Sequence, residues 1–128
     1  MSDLDFRRMK NPDNGESLGT NYLINGTAKA WANINGTGTI AVRDSLNITG
    51  VTDNGTGDYT FVFSNSMLDP NFIFMGSRGS GAPGGISDID VSRIDQIVTG
   101  GRFEAVRGSS NTVTDFAIVQ VMVMGNLA

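Results

Sequence analysis

The side chains in this chain that are best suited to chemistry are carboxylates, because the sequence contains neither histidine nor cysteine. Without these residues, Ser-His-Asp and Cys-His catalytic arrangements are excluded, and so are most transition-metal sites. Oxygen ligands remain, and Asp88, Asp90, Ser92 and Asp95 form a group that suits a hard cation such as Ca²⁺. Because the EF-hand spacing with its terminal Glu is missing, we interpret the group as a solvated strand edge. We expect no metal site and no cofactor.

A second group of oxygen ligands, Asp53, Asn54 and Asp58, surrounds a glycine-rich turn, and a hairpin turn is a sufficient explanation for it. Glycoside hydrolysis requires two carboxylates held roughly 5–10 Å apart in a substrate cleft. Nothing in the sequence pairs carboxylates in this way. We therefore expect the chain not to be an enzyme, with a small polysaccharide depolymerase kept as an alternative.

The overall charge argues against nucleic-acid binding. The formal net charge is −4 and the basic residues are scattered apart from Arg7, Arg8 and Lys10, whereas nucleic-acid binding draws its affinity from clustered Lys and Arg. No stretch is apolar for long enough to span a membrane as a helix, and the charged start MSDLDFRRMK lacks the apolar region of a signal peptide. We therefore expect synthesis in the cytoplasm without export by the ordinary route, and no membrane insertion.

The elements that must position any site are short strands. Segments of alternating polarity separated by turn residues predict an all-β fold, an antiparallel β-sandwich of about seven or eight strands. The predicted strands are 29–34, 39–43, 46–51, 59–63, 72–75, 91–98, 103–106 and 113–124. Asn-Gly pairs such as Asn35-Gly36 favour the positive φ of hairpin turns. Residues 87–98 are also compatible with a helix, but their β-branched residues favour a strand.

The segment before these strands has a different composition. Its apolar residues are sparse, and a turn cluster stands at 11–15. We expect residues 1–23 to be a flexible leader or an adaptor segment, and residues 24–128 to be the sandwich domain.

Trp31 lies in a regular strand, where a core position is a better explanation than stacking on a sugar ring.

The last predicted strand is apolar on both of its faces. One stripe consists of Phe116, Ile118, Gln120, Met122 and Met124. The other stripe, which alternates with it, consists of Ala117, Val119, Val121 and Val123. Because two apolar faces indicate burial on both sides, we expect the first stripe to pack against other copies of the chain. A strand that lies wholly inside the monomer remains the alternative.

Two neighbouring segments resemble a known family. The segments 27–45 (TAKAWANINGTGTIAVRDS) and 46–60 (LNITGVTDNGTGDYT) resemble the C-terminal domain of many bacteriophage tail fibres, and the apolar closing strand is similar as well. The resemblance implies a homotrimeric β-sandwich in the virion, at the tip of a fibre. It also implies attachment to a host-surface glycan or protein, and contact with other virion proteins through the N-terminal segment. The rival hypothesis is a purely structural virion fibre or decoration protein without its own ligand.

The binding residues are expected on the loops. If successive strands alternate in direction, the loops 35–37, 53–57, 77–87 and 108–112 share one end of the sandwich. The turns 44–45, 65–70 and 99–101 then share the other end. Since binding residues concentrate on loops that a rigid scaffold holds, the first end is the predicted receptor-binding surface. Its candidate residues are Arg78, Ser80, Arg107, Ser109, Ser110 and Asn111.

Overall fold

The structure is a computed structural model that describes residues 7–79, 91–107, 110 and 112–128, with the backbone alone described for 91–94. The strands in chain order are β1 Arg8–Lys10, β2 Ser17–Gly19, β3 Ala28–Asn35, β4 Ala41–Leu46, β5 Ile48–Gly55, β6 Asp58–Phe63, β7 Ile73–Gly79, β8 Val91–Ile97, β9 Gly100–Arg107, β10 Thr112–Val113 and β11 Ile118–Met124. One short helix, α1, spans Thr20–Gly26. None of the described helices is long and apolar enough to cross a membrane.

The strands between β3 and β11 form two antiparallel sheets. One sheet has the order β4-β3-β11-β7, and the other runs β5-β6-β9-β8, with the short β10 also paired to β9. Every strand pairing in the described residues is antiparallel. The prediction of an all-β antiparallel fold is confirmed, and β8 is a strand over 91–97.

The core lies between the two sheets and follows the period-2 alternation of the strands. The first sheet contributes mainly small and branched side chains, including Ile34 and Val121, and the second contributes most of the aromatic rings. The ring of Phe61 stacks on Phe74 with centroids 5.4 Å apart, and it lies 6.2 Å from the ring of Phe103. Burial of each such side chain contributes about 1.5–3 kcal/mol, so this aromatic cluster is a main source of stability.

The last strand, β11, occupies a central position between β3 and β7. Val119, Val121 and Val123 point into the core and are at most 3% exposed. The opposite stripe lies on the outer face of the sheet, where Ile118, Met122 and Met124 are half-buried and Gln120 is exposed. A central place in the sheet therefore covers only one face of β11, and the second apolar stripe is not buried within one copy of the chain.

Trp31 and Phe116 lie on the opposite face of their sheet from the face that the sequence predicts for them. Trp31 is not part of the core: it pairs with Met122 and Leu46 on the outer face of the sheet. Phe116 precedes the start of β11 and is 7% exposed, so it packs into the core instead of continuing the outward stripe. The bend at Ala117 breaks the alternation that the sequence pattern assumes.

The predicted leader is in part regular. The strands β1 and β2 form a hairpin around the turn cluster at 11–15, where Gly15 N donates to Asn11 O. The residues of α1, which the sequence pattern did not predict, contribute no fully buried side chain. The first strand of the two-sheet sandwich, β3, begins at Ala28.

Candidate recognition surface

Loops that are distant in sequence meet at one end of the sandwich, which we call the loop end (residues 36–40, 56–57, 107, 110 and 112–117). Gly36 N donates to Phe116 O at 2.9 Å, and Gly57 N donates to Asp115 Oδ1 at 2.6 Å. Thr114 N donates to Ala105 O, which attaches the same segment to β9. These bonds connect loops from both sheets into one surface.

A buried tyrosine lies beneath this surface. The hydroxyl of Tyr59 is 3.3 Å from Asp115 Oδ1 and 3.4 Å from Gly36 O, and the residue is 1% exposed. The hydroxyl carries a single proton, so it donates to one of these two acceptors at a time. Burial raises the pKa of Tyr59 far above its ordinary value, and the negative charge of Asp115 raises it further.

The loops approach one another this closely because two glycines occupy the contact points. A Cβ at Gly36 would lie 2.2 Å from the Tyr59 hydroxyl, and one at Gly57 would lie 2.7 Å from the backbone of Thr114. The Asn-Gly pattern predicts positive φ, and Gly55 of Asn54-Gly55 adopts it at +135°. Gly57, which follows Thr56, also has a positive φ of +63°. Gly36 is not among the residues with positive φ, so it is required for space and not for backbone conformation.

The exposed side chains of the loop end are mainly hydroxyl and amide groups. Thr37, Thr39, Thr56 and Thr112 are exposed. Asn35 Nδ2 donates to Thr37 O at 3.0 Å, which fixes the first loop from within. Neutral donors and acceptors on a rigid support are the chemistry that binds hydroxyl-rich ligands or polar protein surfaces.

The predicted receptor-binding residues are placed differently from one another. Arg78 belongs to β7 and is only 8% exposed, with its guanidinium 4.3 Å from the centre of the Phe116 ring. Arg107 ends β9 and Ser110 follows it, and both are exposed near the loop end. Ser80, Ser109 and Asn111 lie outside the described residues. Burial therefore corrects the placement of Arg78 in an exposed loop, because β7 extends to Gly79.

In the oxygen-rich turn between β5 and β6, the side chains of Asp53 and Asp58 make contacts within the chain. Asp58 forms an ion pair with Arg102, whose Nε donates to Asp58 Oδ1 at 2.8 Å, and this carboxylate raises the pKa of Arg102. Asp53 Oδ1 accepts a bond from Gly55 N at 2.9 Å, as the hairpin interpretation requires. Among the described residues, no group of three or more His, Cys, Asp or Glu side chains could hold a metal. Asp88 and Asp90 lie outside the described range, and so does the side chain of Ser92.

The opposite end of the sandwich, which we call the helix end (residues 20–27, 64–72, 98–99 and 125–128), contains α1 and the remaining turns. Asn47 Oδ1 accepts a bond from Asn65 N at 2.7 Å, and Met67 N donates to Val98 O at 2.8 Å. Leu23 of α1 lines a cleft together with Leu68 and Leu127. The described strand directions agree with the predicted division of the turns between two ends, because chain direction alternates even where the connections cross between the sheets. The turn predicted at 44–45 is the exception: these residues lie inside β4, and the chain turns at Asn47 instead.

The predicted interface stripe is one part of a larger apolar surface. Ile118, Gln120, Met122 and Met124 lie on the outer face of the sheet β4-β3-β11-β7, and Phe116 does not. Four further residues on the same face were missed by the sequence reasoning, namely Trp31, Leu46, Ile73 and Met75. Their identification requires the strand registers, which alternation within a single strand does not supply.

Comparison with protein-family models, with curated proteins and with solved structures gives no match for this chain.

Proposed function

We propose that this chain is the tip protein of a bacteriophage tail fibre or similar virion fibre, and that it attaches to the host surface as a homotrimer. One observation carries the proposal: the polar loop end lies opposite the helix end, through which the N-terminal segment enters the sandwich. A tip protein needs this polarity, with its connection to the particle at one end and its binding loops at the other. The resemblance of residues 27–60 to tail-fibre tip domains supports the same function.

The proposed ligand is a host-surface glycan or protein that is bound at the loop end. Arg107 and Ser110 are the exposed candidates in the described part of that end, beside Thr37 and Thr112. The hydroxyl groups of Ser110, Thr37 and Thr112 both donate and accept hydrogen bonds. The guanidinium of Arg107 adds a cation that suits acidic sugars or carboxylates. Arg78 is left out of the proposed site because it is buried over Phe116.

Binding of fluorescently labelled protein to whole bacterial cells tests this function, on a panel of strains that differ in their surface polysaccharide. We expect binding to a subset of strains, and a loss of at least tenfold for the double variant Arg107→Ala/Ser110→Ala. Asn25→Ala, an exposed position on α1 at the helix end, is the matched control and should bind as the unmodified protein does. Binding to no strain, or equal binding by the two variants, would favour a structural virion protein without a ligand at this surface.

A further inference from the structure

We call the side of the sheet β4-β3-β11-β7 that faces away from the core the outer face. Its residues form rows that cross all four strands. Trp31 pairs with Leu46 and with Met122, and Met122 pairs with Met75. These residues form one apolar row from edge to edge, in which Leu46 is 49% and Met75 45% exposed. The largest apolar patch on a protein surface is often a functional contact surface, so the row is a candidate contact surface.

The neighbouring row is polar. Its members are Asp44, Asn33, Gln120 and Ser77. Ser77 Oγ donates to Gln120 Oε1 at 3.1 Å, and Arg43 Nη1 donates to Asn33 Oδ1 at 3.2 Å. Since these two acceptors already have partners within the chain, covering them costs less than covering unpaired acceptors. A partner whose own rows are apolar and polar in the same order would match both.

We infer that the outer face is covered by two further copies of this chain, arranged around a threefold axis parallel to the strands. The inference rests on the proposed homotrimer and identifies its contact surface. An axis parallel to the strands keeps all copies pointing in the same direction, so each apolar row meets apolar rows and each polar row meets polar rows. Gln120, on the central strand β11, then lies near the axis, where copies of its amide can bond to one another.

The dimensions of the sheet favour three copies. Four strands spaced about 4.8 Å apart make a face about 19 Å wide, and a triangle with sides of that length has its centre about 5.5 Å from each side. Packed sheets lie about 10 Å apart, so side chains fill about 5 Å on each side, which matches the triangle. Four copies would leave each face about 9.5 Å from the axis, with a channel that these side chains do not fill.

The edges of the sheet favour a closed ring over a pair of copies. The seven residues of β11 extend about 23 Å, so the flat area of the outer face is roughly 440 Å². A standard stable interface buries about 800 Å² on each partner, so this face alone provides about half of the usual area. In the ring, each copy also covers the edge strands β4 and β7, which are otherwise open to further pairing.

The two edges are complementary in direction. Because β4 is antiparallel to β3, and β11 is antiparallel to both β3 and β7, the strands β4 and β7 run in opposite directions. When all copies point the same way, β4 of one copy therefore meets β7 of the next in an antiparallel orientation. All three corners of the ring are then equivalent, as closed rotational symmetry requires.

Mass measurement by light scattering provides the first test. We expect the unmodified protein to have three times the mass of the 13.5 kDa chain at micromolar concentration. Met75→Glu and Leu46→Glu should each reduce the mass threefold, with the circular-dichroism spectrum unchanged. Val62→Glu is the matched control, because Val62 is also 45% exposed but lies on β6 in the other sheet. A monomeric or dimeric unmodified protein, or dissociation by the Val62 variant, would overturn the inference.

Disulfide crosslinking tests the edges without disturbing the apolar row. The chain has no cysteine, so the double variant Asp44→Cys/Ser77→Cys carries one thiol on each edge strand. The two positions are three strand spacings apart within one copy, about 14 Å, which exceeds the reach of a disulfide. We expect two thiols from neighbouring copies to form each disulfide, with two electrons and two protons passing to added oxidised glutathione, and a covalent trimer on a non-reducing gel.

The crosslinking experiment has a matched control in the second sheet. Thr52 and Asp95 occupy the two edges of one row there, through Thr60 and Arg102. Thr52→Cys/Asp95→Cys should give no covalent trimer, and equal crosslinking of both double variants would contradict the proposed edge contact. A monomer that still binds cells would contradict the trimeric ring and leave the attachment function standing. A crosslinked trimer that binds no cells would support the ring and contradict the attachment function.

Discussion

The hydroxyl of Tyr59 lies 3.3 Å from Asp115 Oδ1, and this contact joins the core of one sheet to the segment that leads into the last strand of the other. The same carboxylate oxygen accepts a bond from Gly57 N at 2.6 Å. A single carboxylate therefore connects a core tyrosine to the turn between β5 and β6. These contacts attach the loop end to the core.

Tyr59→Phe should destabilise the fold by about 1 kcal/mol. Both distances from the hydroxyl exceed the usual O–H···O length of about 2.8 Å, so the loss belongs at the low end of the range for buried hydrogen bonds. Urea unfolding of the single variants Tyr59→Phe and Asp115→Ala, and of the double variant, measures the coupling between the two residues. Strictly additive losses would show that the two side chains do not interact.

Alkaline pH should weaken the fold through Tyr59. Its pKa is raised in the folded protein, whereas in the unfolded chain it returns to about 10. The stabilisation from the neutral hydroxyl is therefore complete below about pH 10 and is lost as the pH rises towards the folded-state value. Unfolding free energies between pH 8 and 11 should fall more steeply for the unmodified protein than for Tyr59→Phe. Parallel curves for the two proteins would contradict this assignment.

Gly36→Ala should destabilise the loop end by roughly 1–3 kcal/mol, the usual range for overpacking. The added methyl group would lie 2.2 Å from the Tyr59 hydroxyl and 2.9 Å from Phe116 O, and the latter atom belongs to the backbone. Gly50→Ala is the matched control, because a Cβ there meets nothing within 4 Å. Thermal unfolding of both variants separates close contact from a general effect of losing glycine, and equal melting temperatures would rule out the close contact.

Arg78→Ala should lower stability by about 1–2 kcal/mol, because the guanidinium packs over the Phe116 ring in a buried position. Arg107→Ala, which removes an exposed arginine from the end of β9, should change stability by less than about 0.5 kcal/mol. Urea unfolding compares the two. If Arg78→Ala unfolds at the same urea concentration as the unmodified protein, the buried arginine is not a stabilising element.

The sequence was sufficient to identify the sandwich strands and the ends at which their turns lie. Alternation with period 2 depends on backbone geometry alone, so strands such as β3 and β6 could be found without any knowledge of their neighbours. The chain reverses between one sandwich strand and the next, so the division of the turns into two ends followed from counting strands. The sequence of β11 also predicted a second apolar stripe, which the structure places on the outer face of the sheet.

Only the tertiary structure decided which stripe of each strand faces inwards. Alternation defines two faces and does not say which of them meets the aromatic rings of the other sheet, so Trp31 was assigned to the core although it lies outside it. Arg78 is buried because Phe116 turns inwards beneath it, a contact between residues that are far apart in sequence. The row from Leu46 to Met75 exists only through the registers of four strands. Such contacts depend on pairing across the sheet, which a local pattern of residues does not encode.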